Sequence, residues 1–599
     1  MCGIIGYVGD QRGDTDVLDV LMTGLSGLEY RGYDSAGVAV ADSSLAVRKR
    51  EGDLSALESA VADGSVEGAA GIGHTRWSTH GPPSDVNAHP HTDADDRVAV
   101  VHNGIIENYG SLRDELEDRG YEFESETDTE VVPHLIADAL SGGVEPETAF
   151  RRAIGRLEGS YAIAAVFSGS ETVYAAREES PLVLGVGDGG HYLASDVPAF
   201  IEYTDRVIYL DDGEFATIEP SSVVVTDDEG TVVDTSIETI EWDAEDAGKS
   251  GYDHYMLKEI HEQPTAIRQC LSERVTELEG CIDVDSLASV SVPDRVQFVA
   301  CGTSYHAALY GTRLLRERGV PATAFLASEY DVDAVPIGDD ALVVGVTQSG
   351  ETADTMGALR GANRVGATTL AVTNVVGSSA ARECDHAMYV RAGPEIGVAA
   401  TKTFVSQQIA LVMLASELTG EYGDELVAAL RDLPGKIQSV LDASAARGIA
   451  TEYRDSDAFF FIGRGYNAPV ALEGALKMKE ITYRHAEGFA AGELKHGPLA
   501  LVTDRTPVFA LVTGGSNPTK TIGNVKEVET RGAPVVAVTD GCADVERHAD
   551  FVLEVPESHP ALAPVIANVQ LQLVSYWVAN QLGRSIDKPR NLAKSVTVE

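Results

Sequence analysis

Residues 295–317, "RVQFVACGTSYHAALYGTRLLRE", and residues 457–480, "DAFFFIGRGYNAPVALEGALKMKE", share one order. Each is a β-branched or aromatic run, then a glycine turn, then a helical pattern. A second pair follows them: "ALVVGVTQSGETADTMGALRGANRVGATTLAVTN" at 341–374 and "PVFALVTGGSNPTKTIGNVKEVETRGAPVVAVTD" at 507–540. Each half therefore reads strand–turn–helix, then strand–turn–helix–strand. Such alternation implies parallel, doubly wound sheets with helices on both faces, and its recurrence implies an internal repeat. Two related α/β domains are expected, at roughly 285–430 and 450–585.

The chain before them has a different texture. Residues 2–240 read as short strands and helices with many turns. "CGIIGYV", "AVRKREG", "VAVVHNG", "YAIAAVF" and "VIYLDDGEFATI" have strand character, and "SLRDELEDRG" is a short helix ending at Gly120. An acidic, glycine-containing stretch that turns helical, 241–284, is expected to link the two parts, and 586–599 forms a tail. With 599 residues, the chain is too long for one core.

Composition narrows the function. Asp and Glu number 94 against 45 Lys and Arg, a net charge of −49 spread along the whole chain. Such a surface repels nucleic acid. Only twelve of the basic residues are lysine. An evenly acidic, lysine-poor chain suggests a salt-rich cytoplasm in which counterions screen self-repulsion. No apolar run approaches the ~18 residues of a membrane span, and the start lacks the basic and apolar regions of a secretory signal. The six cysteines, at 2, 270, 281, 301, 384 and 542, form no C-x-x-C pair, which suits a reducing compartment.

Several stretches carry chemistry. "VVGVTQSGET" puts Thr347, Gln348, Ser349 and Thr352 between a buried strand and a helix, where hydroxyls and backbone N–H groups hold phosphate. An ordinary helix cap uses the same residues. Thr303 and Ser304 in "ACGTSYHA" supply a second hydroxyl-rich turn, whereas "VTGGSNPTK" in the second repeat lacks the Q-S-G-E-T order. Glu473, Lys477, Glu480 and Arg484 fall on one helical face, the pattern of a solvated charge stripe. His496 follows in the turn-rich "GELKHGPLAL", and Lys594 survives in the tail "DKPRNLAKSVTVE" of a lysine-poor chain. A lysine can form a Schiff base with a carbonyl. Cys2, in "MCGIIGYVGD", reads either as a small hydrophobe opening a strand or, if Met1 is removed, as an N-terminal nucleophile.

Read in order, the motifs "MCGIIGYVG", "LEYRGYDSAG", "GHTRWSTHG", "NAHPH", "VHNGIIENY", "SETDTE", "YMLKEIHEQP", "CGTSYHA", "TQSGET", "VAATKTF", "GELKHGPLAL" and "PRNLAKSVTVE" span essentially the whole chain. The sequence resembles the glutamine–fructose-6-phosphate aminotransferase (isomerising) family, or glucosamine-6-phosphate synthases. The resemblance implies an N-terminal nucleophile glutaminase αββα sandwich followed by two doubly wound sugar-isomerase (SIS) domains. The implied reaction moves the amide nitrogen of L-glutamine to D-fructose 6-phosphate, giving D-glucosamine 6-phosphate and L-glutamate. Action on a different sugar phosphate is the alternative, and a non-catalytic sugar-phosphate sensor is a third reading.

The same resemblance implies roles. Cys2 is the nucleophile, with its own α-amine, of reference pKa about 7.7–8.0, as base once Met1 is gone. Asn103 and Gly104 form the oxyanion hole. Arg76 and Asp128 clamp glutamine, Trp77 gates the passage between sites, and His89 lies beside the glutamine pocket. Thr303, Ser304, Thr347, Gln348, Ser349, Thr352 and Val398 bind the sugar phosphate, with Thr347 standing where the family commonly has serine. Lys594 forms the Schiff base, His496 opens the ring from the neighbouring subunit of a homodimer, and Glu480 moves a proton between C1 and C2. Glu473 and Lys477 support that site. No metal and no organic cofactor is implied, and the His89/His91 pair lacks a third ligand at familiar spacing. A channel for ammonia between the two sites is also implied.

Overall fold

The computed structural model describes every residue except 1, 10–15, 63–67, 241–247, 276–280, 291, 336, 339–340, 422 and 598–599. Met1 and part of the expected linker thus lie outside the described residues. The chain divides into two compact units, Met1–Gly248 with Ala593–Glu599, and Lys249–Leu592.

The first unit is built on antiparallel sheets. Its strands are β1 (Gly3–Gly9), β2 (Ser35–Ala41), β3 (Leu45–Glu51), β4 (Ala70–Arg76), β5 (His91–Thr92), β6 (Val98–Ile106), β7 (Gly159–Phe167), β8 (Val173–Glu178), β9 (Val183–Val186), β10 (Gly190–Ala194), β11 (Arg206–Tyr209), β12 (Phe215–Glu219), β13 (Ser222–Thr226) and β14 (Glu238–Thr239). One sheet runs β14-β11-β9-β10-β1-β4-β2-β3 and the other β13-β12-β8-β7-β6-β5. Their facing sides alternate inward along each strand, and the layer between them is rich in small residues, including Ala39, Ala99, Ala162, Ala164, Ala175 and Ala216. Helices α1 (Val17–Gly27) and α2 (Leu54–Val61) cover the outer face of the first sheet. Helices α3 (Tyr109–Asp118), α4 (Val131–Ser141) and α5 (Pro146–Ile154) cover the second. The order is therefore helix, sheet, sheet, helix. The single strand expected over "VIYLDDGEFATI" is two strands in different sheets. The Glu214 carboxylate accepts from the Asp211 amide at 2.7 Å, and Gly213 adopts φ 78°, so the chain turns there and crosses over.

The second unit holds the repeat. It opens with α6 (Tyr255–Leu271), which falls in the stretch expected as a linker and buries Met256, Ile260, Ile267 and Cys270 in the unit's core. Strands β15 (Arg295–Ala300), β16 (Ala322–Leu326), β17 (Ala341–Val346), β18 (Thr368–Thr373) and β19 (His386–Tyr389) form a sheet of order β16-β15-β17-β18-β19. Strands β20 (Ala458–Gly463), β21 (His485–Ala490), β22 (Val508–Val512), β23 (Val535–Thr539) and β24 (Phe551–Glu554) form a second, β21-β20-β22-β23-β24. Every pairing in both is parallel, as the alternating pattern requires. Helices α7 (Gly302–Glu317), α8 (Ala353–Arg364), α9 (Ser379–Glu383), α10 (Lys402–Thr419), α11 (Asp424–Ala443), α12 (Ala446–Tyr453), α13 (Asn467–Thr482), α14 (Pro518–Glu529) and α15 (Ala563–Gln581) complete it. A single apolar cluster runs from Phe298 and Val344 of the first sheet through Leu411 and Val574 to Phe461 and Phe509 of the second, so the repeats share one core.

Phe461 and Phe509 stack with ring centroids 4.9 Å apart, both fully buried. Phe461→Ala is expected to remove about 3–5 kcal/mol from the second unit. Calorimetry of the full chain should show that transition falling while the transition of the first unit stays in place.

Candidate active sites

In the first unit the strand β1 delivers Cys2 to a pocket. A Cβ on Gly3 would stand 2.6 Å from Thr75 Oγ1 and 2.8 Å from Leu28 Cβ, so only glycine lets the chain end come this close. The Trp77 amide donates to Cys2 Sγ at 3.2 Å, and the Trp77 carbonyl lies 3.4 Å from the thiol. Two side chains donate to the Cys2 carbonyl: Asn103 Nδ2 at 3.0 Å and Arg31 Nε at 3.1 Å. Arg31 is itself buried and paired with Asp196 at 3.1 Å.

The amide of Asn103 is oriented from behind. His74 Nε2 lies 3.1 Å from Asn103 Oδ1 and 3.0 Å from the His102 carbonyl. Both are acceptors, so Nε2 carries the proton and Nδ1 does not. Burial pushes His74 down to about 3, which keeps it neutral and in that tautomer. His89 stacks on it at 4.2 Å, with His91 at 4.8 Å beyond. Burial holds His89, His91 and His102 below the ordinary histidine range as well.

Arg76 ends β4 and donates from Nη2 to the His80 and Gly81 carbonyls. Asp128 Oδ2 accepts the Ile106 amide at 2.9 Å, and its Oδ1 lies 4.0 Å from His80 Nδ1. Gly104 adopts φ +126° with the Ser160 carbonyl 2.0 Å from where a Cβ would sit, so a side chain is excluded on two counts. Cys2, Arg76, Trp77, His89, Asn103, Gly104 and Asp128 all line this one pocket, joined by Arg31, His80, Thr127 and Thr597. A buried arginine and a buried carboxylate that line one pocket with a thiol suit a ligand that carries both a carboxylate and an ammonium group.

In the second unit Thr303 and Ser304 open α7 after β15, and 347–352 join β17 to α8. Those strands are neighbours, so both turns sit at the carboxyl edge of one sheet, where parallel sheets bind ligands. The turn at 347–352 is tied internally. Gly350 N donates to Thr347 Oγ1 at 3.2 Å, Glu351 N to Ser349 Oγ at 3.1 Å, and the Gln348 carbonyl accepts from Asn374 N at 3.2 Å. Thr352 Oγ1 is 3.3 Å from Thr347 Oγ1. Glu351 accepts the Ser379 amide and hydroxyl, both at 2.8 Å, and so fastens the turn to α9.

Helix α13 reaches the first turn of α7. Glu473, fully buried, accepts from Thr303 Oγ1 at 3.0 Å and lies 2.8 Å from His306 Nδ1. Lys477 pairs with Glu473 at 3.4 Å and Glu480 at 2.6 Å. Burial disfavours its ammonium, but Glu480 and Glu473 outweigh that and hold Lys477 above the usual lysine range. The solvated stripe read from spacing is thus buried at two of its four members, and α13 stops at Thr482, before Arg484. Ser304 meets Gln407 of α10, with Gln407 Nε2 donating to Ser304 Oγ at 3.0 Å. Val398 is buried and donates its amide to the Asp587 carbonyl at 3.1 Å. His496 is exposed. Lys594 belongs with Ala593–Glu599 to the first unit, while the other expected sugar-site residues belong to the second.

The motifs assign no role to Arg31, His74, Gln407 or Glu351. Arg31 and Glu351 sit inside quoted motifs, "LEYRGYDSAG" and "TQSGET", where a charged residue in a turn was the available signal. His74 also sits inside a quoted motif, "GHTRWSTHG", and Gln407 lies outside them; both act through contacts that span 29 and 103 positions.

Sequence comparison assigns the class first. Residues 290–417 and 452–580 match the SIS domain model, and 74–202 match a glutamine amidotransferase domain. The structure is an αββα glutamine amidotransferase joined to tandem SIS domains. A glutamine–fructose-6-phosphate aminotransferase (isomerizing) of Halobacterium salinarum is 53% identical, with both chains covered in full. One of Thermus thermophilus is 46% identical, again over 100% of each chain. The C-terminal domain of a glucosamine-fructose-6-phosphate aminotransferase from Francisella tularensis superposes with TM-score 0.53 at 36% identity, covering 57% of this chain and 99% of that one. The chain belongs to the glutamine–fructose-6-phosphate aminotransferase (isomerizing) family.

The buried neutral histidines carry a pH dependence. His74 is depressed from 6.5 to about 3 in the fold, so between those values the unfolded chain binds the extra proton. Stability of the first unit is full above pH 6.5 and falls as the pH drops toward about 3. Thermal melts of the full chain at fixed KCl, at pH 7 and pH 5, should show that unit's transition lower at pH 5. An unchanged midpoint would contradict a neutral cluster.

Proposed function

We propose that the chain transfers the amide nitrogen of L-glutamine to D-fructose 6-phosphate with isomerisation, giving D-glucosamine 6-phosphate and L-glutamate. The observation that carries this reading is the thiol of Cys2 in one pocket with Arg76 and Asp128, in a chain that also bears the hydroxyl-lined turn 347–352. The working regions are a glutaminase at 2–240, a connecting stretch at 241–284, SIS domains at 285–430 and 450–585, and a catalytic tail at 586–599.

With Met1 removed, the α-amine of Cys2 takes the thiol proton and the thiolate attacks the glutamine side-chain carbonyl. The oxyanion is held by Asn103 Nδ2 and the Gly104 N–H. Collapse of the intermediate breaks the C–N bond, and the amine returns the proton so that ammonia leaves. Water then cleaves the thioester to L-glutamate. Arg76 binds the α-carboxylate, Asp128 the α-ammonium, and His89 and Trp77 close the pocket. Arg31 and His74 are positioning residues in this scheme, fixing the Cys2 carbonyl and the Asn103 amide.

On the sugar side, Thr303, Ser304, Thr347, Gln348, Ser349 and Thr352 hold the phosphate, and Val398 lines the sugar. His496 of the neighbouring subunit opens the ring. Lys594 condenses with the C2 carbonyl, releasing water. Ammonia replaces the lysine, and Glu480 moves a proton from C1 to C2. Glu473 and Lys477 hold Glu480 in place. The exposure of His496 and of Leu501 five residues on supports a homodimer that completes the site. Six free cysteines support a reducing, cytoplasmic setting.

Cys2→Ala is expected to abolish glutamine hydrolysis while leaving fructose 6-phosphate binding intact. Intact glutamine-dependent synthesis in that variant would reject the scheme. His496→Ala and Lys594→Ala should each be inactive in synthesis. Mixed and refolded together, they should regain about a quarter of wild-type activity, because half the dimers then carry one complete site. No recovery on mixing would place both residues in one subunit's site.

A further inference from the structure

The motif "YMLKEIHEQP", residues 255–264, has no part in the reaction as described, yet it opens α6 and carries charge into the core. Lys258 and Glu259 are 3% and 1% exposed. Burying a carboxylate is costly unless polar groups meet it. Glu259 Oε1 accepts the amides of Ile396 at 2.5 Å and Gly397 at 3.0 Å, so it is aimed at backbone 137 and 138 positions away. A Cβ on Gly397 would stand 2.8 Å from Glu259 Oε2 and 3.5 Å from the Met256 nitrogen. The bare glycine thus lets the loop close on the first turn of α6.

The loop held in this way, 396–401, is fixed at both ends and in the middle. The buried Glu395 accepts the Thr401 amide at 2.9 Å and the Thr403 amide at 3.0 Å, which closes the loop on itself at the start of α10. Lys402 of α10 and Lys258 of α6 both reach Glu262, at 2.7 and 3.1 Å, and tie the two helices a second time. In the middle, the Val398 amide donates to the Asp587 carbonyl. The Asp587 carboxylate in turn accepts the Tyr255 and Met256 amides, each at 3.0 Å, two of the donors that a helix start leaves open.

The chain leading into this loop is also joined to the turn at 347–352. Asn374 donates its backbone amide to the Gln348 carbonyl at 3.2 Å. Its side chain accepts the Ala392 amide and donates to the Gly393 carbonyl, both at 2.8 Å. Residues 392–401 are therefore anchored to the turn through Asn374 and to α6 through Glu259. Packing alone does not call for a charge at 259, since apolar residues of similar volume in place of buried ionic groups are often neutral or stabilising. A carboxylate adds direction: it fixes where two consecutive amides stand.

We propose that Glu259 is a positioning residue for the sugar-phosphate site, fixing the loop 396–401 so that Val398 meets the sugar in one place. The inference rests on the reading of Val398 and the turn at 347–352 as that site. Glu259 acts through the loop backbone and not by contact with the sugar.

Steady-state kinetics of the full chain at fixed KCl test it. In Glu259→Ala the KM for fructose 6-phosphate should rise about tenfold with kcat within about threefold of wild type, because the binding lost is common to ground state and transition state. Gly397→Ala, which presses on the same carboxylate from the loop side, should do the same. Glu259→Gln keeps an oxygen that can accept both amides, and should return KM to within about threefold of wild type. Glutamine hydrolysis without sugar phosphate should run at the wild-type rate in all three. Calorimetry shows which variants keep the second unit's transition, and the kinetics are read on those. A folded Glu259→Ala or Gly397→Ala chain with the wild-type KM overturns the proposal, whether or not kcat falls. So does loss of that transition in both, which makes the residue merely structural. A wild-type chain that makes no glucosamine 6-phosphate from these substrates overturns the functional reading instead, and the inference falls with it.

Discussion

The second unit turns on a carboxylate that has no water to lean on. Glu473 is fully buried, and its charge is met by Thr303, His306 and Lys477. Removing one partner of such a buried pair costs about 3–5 kcal/mol, because the other charge is left unsatisfied. The geometry of α7 against α13 is therefore fixed by a requirement, not by apolar contact alone, which tolerates sliding. Thr303 is held by the same carboxylate, so the start of α7 cannot shift without exposing a charge to the core. Lys477 passes the constraint on to Glu480, whose carboxylate lies 2.6 Å from its ammonium. One buried glutamate thus sets the register between the two repeats and the position of a carboxylate proposed to move a proton.

The first unit uses a different device for the same purpose. A chain end ordinarily frays, yet Cys2 is held at its carbonyl by Arg31 and Asn103 and at its sulfur by the Trp77 amide. β1 runs between β4 and β10 in the middle of the sheet, so the strand behind the thiol has no free edge. The polar groups that steer it are neutral or internally paired. His74 is uncharged and donates to Asn103; Arg31 is neutralised by Asp196.

How much of this the sequence discloses depends on the range of the interaction. Strand–turn–helix order is local, so the repeat, the parallel sheets and the turn at 347–352 are visible in the pattern of "FVACGTSYHA" and "VVGVTQSGET". Helical spacing likewise puts Glu473, Lys477 and Glu480 on one face, but whether that face meets solvent depends on α7, which lies over 150 positions earlier. The charge stripe and the buried network have the same spacing; only the partner distinguishes them. The break between β11 and β12 was hidden for the opposite reason. Asp211 and Glu214 are ordinary surface acids in a chain full of them, and the turn they close is not separable by composition. The residues around Cys2 were legible as motifs, whereas the contacts that orient them, such as His74 to Asn103, follow from sheet pairing.

The acidity of the chain and the chemistry of its sites are kept apart by depth. At molar salt the screening length is about 3 Å, so exposed pairs such as Lys495 with Glu527 or Arg505 with Asp457 count for little. Screening of that kind relieves the mutual repulsion of the surface carboxylates. It does not reach Lys477, 1% exposed at its side chain, or Arg31, at 7%. Of the few lysines retained inside, Lys258 and Lys402 share Glu262 at 3.1 and 2.7 Å, and Lys477 lies 2.6 Å from Glu480, so each has a carboxylate of the fold beside it. A surface whose repulsion is governed by salt can then surround sites whose charges are balanced within the fold, and the same sheets and helices can serve in a salt-rich medium without redesign of the groups that do the chemistry.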